Sequence, residues 1–155
     1  MRVFPLILVL TVLGLGTSGC VRRPEVALQA VEVSRLGLSG GSLLVTLEVT
    51  NPNSFALDSE QLTYALELEG VGQDGEEQWI EFVTGTYDAP FSVAAGQSAT
   101  VQLPVDFDYS RLGSSALALL RSQGLDYRAR GTVMLRTPLG TRAVPFKKQG
   151  TLGRK

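Results

Sequence analysis

The sequence predicts an all-β protein, an antiparallel β-sandwich carrying one short α-helix, and three observations lead there. Apolar and polar residues alternate with period two in several blocks, turn-forming clusters separate the blocks, and one segment alone has helical spacing. Residues 42–50 place Leu43, Val45, Leu47 and Val49 on one face and Leu44, Thr46, Glu48 and Thr50 on the other, the signature of a half-buried strand. Residues 61–69 repeat it, with Leu62, Tyr64, Leu66 and Leu68 inward. Residues 99–107 repeat it again, with Val101, Leu103, Val105 and Phe107 inward, and Pro104 puts this strand at a sheet edge because proline has no N–H to give a ladder. Weaker strands are expected over residues 26–35, 79–84, 127–137 and 141–147. Trp79, followed by Ile80 and Phe82, reads most simply as a strand crossing the core, with a binding surface as the alternative.

Turns fall at residues 37–41, 51–53, 70–77, 95–97 and 137–140. In Asn51-Pro52-Asn53 the proline ends the strand and the asparagines bond local backbone in an Asx-type turn. Gly70 to Gly75 lacks the pattern and the strand-helix setting of a phosphate loop and reads as a hairpin tip. The helix is expected after Ser110 as cap, with Leu112, Ala116, Leu119 and Leu120 at helical spacing and Gly124 as the C-terminal residue. Helices do not alternate with strands, which disfavours a doubly wound nucleotide fold.

Length and composition bound the function. The chain has 155 residues, enough for one ordinary domain, with no His, one Cys and two Met. That composition excludes His-based acid–base chemistry, Ser-His-Asp and Cys-His pairs, and His- or Cys-clustered metal sites. Fourteen Lys and Arg against fifteen Asp and Glu leave a net charge of −1, without the basic excess of a general nucleic-acid binder. No catalytic residue, cofactor or metal is assigned.

The amino terminus has a targeting pattern. Arg2 supplies a positive start, residues 3–15 are apolar apart from Pro5, Thr11 and Gly14, and Gly16-Thr17-Ser18-Gly19 leads into Cys20. The arrangement resembles a bacterial lipoprotein signal, which implies cleavage before Cys20 and acylation of its thiol; Thr17 stands where that pattern has Leu. An uncleaved anchor is the alternative, but the run falls short of the ~20 residues that span a bilayer. The expected organisation is a signal peptide over residues 1–19, a lipidated tether over 20–25 and one domain over 26–153. Val21, in place of the Asp that retains lipoproteins in the inner membrane of enteric bacteria, points to the outer membrane where a host has one.

Residues 26–33, the run Leu43 to Thr50 ending in Asn51-Pro52-Asn53, and Leu62-Thr63-Tyr64-Ala65-Leu66 resemble the opening of the late embryogenesis abundant type 2 family, also called the water-stress and hypersensitive-response (WHy) domain. Phe91 to Ser98, Val101 to Val105, Tyr127 to Gly131 and Val144-Pro145-Phe146 continue the likeness, which spans about residues 24–152. It implies an immunoglobulin- or fibronectin-III-like sandwich with a helix at one end, and non-catalytic protection of proteins or membranes during water, cold or heat stress.

Charge is unevenly spread: residues 36–110 hold twelve acids and no Lys or Arg, whereas residues 111–155 hold ten bases and one acid, Asp126. In one account the basic strands lie beside the acidic ones and neutralise them. In the other, Arg142, Lys147, Lys148, Arg154 and Lys155 face anionic headgroups or an acidic partner. The carboxylate clusters, Asp106 with Asp108 and Asp74 with Glu76 and Glu77, lack the ligand count of a calcium loop and read as solvated turns and a helix N-terminal acid. The leading expectation is a lipid-anchored, non-enzymatic envelope protein, held on the membrane through Cys20, with protein clients or envelope partners. The alternatives are an envelope binding module and a carboxylate-dependent hydrolase.

Overall fold

The structure is a computed structural model describing residues 21–71, 76–111 and 125–154. Its strands are β1 (Glu25–Leu36), β2 (Gly40–Thr50), β3 (Leu57–Val71), β4 (Glu77–Tyr87), β5 (Ser92–Val93), β6 (Ser98–Asp108), β7 (Asp126–Thr137), β8 (Gly140–Thr151) and β9 (Gly153–Arg154), with a 3-10 turn at Tyr109–Arg111. One sheet has the order β6-β2-β1-β9 and the other β4-β3-β7-β8, with β5 also paired to β3. All pairings are antiparallel except that of β9 with β1, which is parallel.

The alternation read from the sequence determines which face each strand buries. Leu43, Val45, Leu47 and Val49 of β2 are buried, as are Val101, Leu103, Val105 and Phe107 of β6, and they meet Leu62, Leu66, Leu68, Val133 and Leu135 of the other sheet. Tyr64 is half-buried on the same inward face, and burial pushes its hydroxyl pKa up. The Phe82 and Phe107 rings join the two layers, their centroids 4.6 Å apart. Pro104 lies on β6, which pairs with β2 alone among the described residues, so its missing donor faces no neighbour.

Trp79 corrects one expectation, since it does not cross the core. It pairs with Glu69 on the outer face of its sheet, half-buried, with the Arg128 guanidinium 3.8 Å above its ring. Ile80, opposite Leu68, occupies the inner position beside it, Phe82 two residues on is buried on the same face, and the register shifts there so that Val83 pairs with Leu66. The helical segment, residues 112–124, and the tip of the β3–β4 hairpin, residues 72–75, lie outside the described residues. At the edge of the former, Asp108 accepts from the backbone N–H of Ser110 at 2.9 Å and opens the 3-10 turn.

Neighbouring residues of β2 give a direct test of this facing. Leu47→Ala, at a fully buried position, is expected to lower the unfolding free energy by about 2–5 kcal/mol. Glu48→Ala loses only an exposed hydrogen bond from Gln29 and should stay within about 0.5 kcal/mol. Chemical denaturation of the two variants measures both.

Candidate functional site

The Asn-Pro-Asn turn builds one end of the sandwich. Asn51 is completely buried, and its Nδ2 donates to the carbonyls of Phe55 at 2.7 Å and of Val93 and Ala94 at 3.1 Å. Its Oδ1 accepts the backbone N–H of Asn53 at 3.0 Å, the Asx turn read from the sequence. Asn53 then binds the incoming chain: its Oδ1 accepts the Arg22 N–H at 2.7 Å and its Nδ2 donates to the Arg22 carbonyl at 3.0 Å. The segment read as a tether is therefore docked from Arg22 onward, with Pro24 buried and β1 beginning at Glu25. Cys20 lies outside the described residues, two positions before the first docked one.

The β7–β8 hairpin is at the same end. Thr137 pairs with Gly140, whose φ of +105° suits glycine, and the Thr137 hydroxyl both donates to the Gly140 carbonyl at 2.7 Å and accepts from the Leu139 N–H at 3.2 Å. The tip so held presents Leu139 with 70% of its surface exposed. A groove beside it is lined by Val21, Arg22, Arg23 and Pro24 on one side and Arg142, Ala143 and Val144 on the other. On the neighbouring strand Glu60 accepts from Arg136 and Thr141, each at 2.9 Å, and those bonds hold its carboxyl below the usual carboxylate range.

The five basic residues singled out in the sequence do not share one surface. Arg142 is exposed near the amino-terminal segment, and Lys147 is exposed farther along β8 on the outer face of its sheet. Lys148, the next residue, points the other way and donates to the Gln29 carbonyl at 2.8 Å. Gln29 is the extra residue where the β1 register shifts between Leu28 and Ala30, so Lys148 satisfies a carbonyl at a bulge. Arg154 lies in β9, paired with Val33, and Lys155 lies outside the described residues.

The outer face of the second sheet carries a basic groove that the sequence reading did not single out. Arg128, Arg130 and Lys147 surround Glu67 there, with Arg130 paired to Glu67 at 2.9 Å. The available signal was the alternation over residues 127–137, which turns both arginines outward beside the acidic face of β3. Arg130–Glu67 and Arg136–Glu60 join β7 to β3, so neutralisation between neighbouring strands describes those two arginines. Both arginines are largely exposed, so solvent screening keeps the contribution of each pair small, although the Glu67 carboxylate is only 17% exposed. Asp106 accepts from the Ser42 hydroxyl and sits 3.8 Å from Arg35. Among the described residues no group of three or more acids or cysteines is arranged to hold a metal, and no helix is long and apolar enough to cross a membrane.

This architecture has solved counterparts. A solution structure from Arabidopsis thaliana aligns with a TM-score of 0.62 at 20% identity, covering 87% of this chain and 85% of its own. The solution structure of a putative late embryogenesis abundant protein aligns at 0.59 and 20% identity, covering 85% and 71%. A crystal structure from Archaeoglobus fulgidus aligns at 0.56 and 14% identity, covering 83% and 98%. At these identities the likeness concerns the fold. No curated protein matches the chain by sequence. The family model described as late embryogenesis abundant protein matches residues 46–150, from the middle of β2 almost to the end of β8. The chain thus belongs to the late embryogenesis abundant type 2 family.

Proposed function

We propose that this protein is a lipid-anchored, non-enzymatic component of the bacterial cell envelope, whose sandwich protects neighbouring proteins or membrane during drying, cold or freezing. The outer membrane is the proposed location where the host has one, and the two sheets are read as the immunoglobulin- or fibronectin-III-like scaffold that the resemblance implies. The observation that carries the anchored reading is the capture of Arg22 by the Asn53 amide. It fixes the chain two residues after Cys20, where a lipidated cysteine would hold the domain close to the bilayer. Two or more acyl chains, at ~0.8 kcal/mol per buried CH2, give stable attachment where one chain gives marginal attachment.

Protection by a folded sandwich works through weak surface association and spacing. It should therefore need no ATP or metal and should require roughly stoichiometric protein. Two measurements test the proposal. Cys20→Ser should abolish palmitate labelling and leave an uncleaved precursor, and normal labelling of that variant would remove the anchor. The purified full-length protein should raise recovery of a labile enzyme after freeze–thaw above that given by an equal mass of albumin. Equal recovery would remove the protective role and leave the second reading, an envelope binding module, favoured by the groove of Arg128, Arg130 and Lys147 as a surface for an acidic partner.

A further inference from the structure

We infer that the end of the sandwich from which Val21 emerges is a membrane-docking surface, seated on anionic phospholipid headgroups with Leu139 inserted below them and Arg23 and Arg142 on the lipid phosphates. The inference rests on the anchored reading of Cys20 and specifies how the domain stands on its membrane. Four observations support it. With Arg22 bonded through both its backbone groups, the chain has too little slack after Cys20 to let this end leave the bilayer.

Apart from Asp88 at the start of the β4–β5 connection, the loops between strands at this end carry no charged side chain: residues 51–56, 89–97 and 138–139 are Asn, Pro, Ser, Phe, Ala, Val, Gly, Gln and Leu only. Exposed Pro52, Ala89, Pro90, Ala94 and Ala95 give it an apolar rim that needs little desolvation at an interface. Leu139 projects from a two-residue turn braced by the Thr137 hydroxyl, so insertion costs little further ordering. The exposed side chains of Arg22, Arg23 and Arg142 lie at or beside this end; of the acids there, Glu60 is paired with Arg136, and Glu25, Asp58 and Asp88 are exposed. Arginine in that position matches a phosphodiester bidentately, and an apolar finger with cations at its base is the composition that lies in the headgroup–acyl boundary.

The opposite end supplies the control. Leu38, in the β1–β2 turn, is fully exposed but lies at the other end of β1, roughly 40 Å away for twelve residues at ~3.3 Å each. The full-length protein is reconstituted into vesicles of phosphatidylcholine with or without phosphatidylglycerol, as wild type and as Leu139→Cys and Leu38→Cys, and treated with a thiol-reactive, polarity-sensitive fluorophore. Acylated Cys20 has no free thiol, so the wild type should stay unlabelled. Labelling of the wild type would overturn the anchored reading and this inference with it.

With the wild type unlabelled, the probe at position 139 should shift to the blue and lose intensity to lipids brominated near the top of the acyl chain. The probe at position 38 should do neither. Adding Arg23→Gln and Arg142→Gln to Leu139→Cys should reduce the quenching on phosphatidylglycerol vesicles and remove its salt dependence, with little change on pure phosphatidylcholine. An unshifted probe at 139, or equal quenching at 139 and 38, would overturn the docking surface while leaving the anchor intact.

Discussion

Asn51→Ala is expected to lower the unfolding free energy by about 3–5 kcal/mol, a cost normally reserved for a large core truncation. The side chain is fully buried and serves donors and acceptors on two segments: the carbonyl of Phe55 with the backbone and side-chain N–H groups of Asn53, and the carbonyls of Val93 and Ala94. Alanine removes these bonds at a fully buried position, and the desolvation cost of the partner groups remains, offset in part at the Ala94 carbonyl, which also accepts the Gln97 N–H, and at the Asn53 amide, which also donates to the Arg22 carbonyl. Asn51→Asp separates polarity from shape. A carboxylate there is buried and faces carbonyl oxygens, so its folded pKa must rise above the unfolded value of about 3.9. A group with a raised folded pKa destabilises progressively as pH increases from the unfolded value to the folded one. Denaturation of this variant should therefore show least damage at about pH 4 or below and most at neutral pH. A loss equal at all pH values would show that the carboxyl has escaped to solvent.

Gly131→Ala should cost about 2–4 kcal/mol, at the upper range of overpacking. An added Cβ would meet the Thr63 carbonyl oxygen at 2.2 Å and the tip of the Phe146 ring at 2.4 Å. The ring has a soft escape but the backbone oxygen does not, because Thr63 belongs to the β3–β7 ladder next to Tyr64, which pairs with Gly131. Phe146, directly opposite on β8, covers this glycine and fills the space a side chain would take. Gly96→Ala makes the comparison: there φ is +66° and nothing lies within 4 Å, so only the left-handed backbone is penalised, by about 1–2 kcal/mol. Thermal unfolding of the pair should rank Gly131→Ala as the less stable.

Strands with one wet face and an unbroken pattern were legible in the sequence. β2, β3 and β6 fall where the alternation places them, and Pro104 marks its edge correctly because a missing donor is a local property. β1 and β4 were fainter because bulges at Gln29 and beside Phe82 shift the period partway along. The far end of β8, residues 148–151, was fainter because its inward position 148 is a lysine, a charge that only an edge strand tolerates there. β5 and β9 are two residues each and form through backbone bonds that no side-chain pattern encodes.

At the candidate site, the Asx turn of Asn51 was legible as local chemistry. Its grip on carbonyls more than forty residues away and the capture of Arg22 by Asn53 were not, since both partners are main-chain atoms common to every residue type. Trp79 misled because Ile80 and Phe82 after it are apolar, although its pairing with outward Glu69 settles its face.

The parallel pairing of β9 with β1 has a consequence for the order of assembly. Glu32 and Val33 find their partners in Gly153 and Arg154, more than a hundred positions later in the chain. The edge of β1 therefore stays open until β9 has been made, and the other ladders also join distant parts of the chain, as β2 with β6 and β3 with β7 do. Such non-local topology folds in milliseconds to seconds, not microseconds. Until β9 is delivered, the exposed edge of β1 is open to pairing with other unfinished chains.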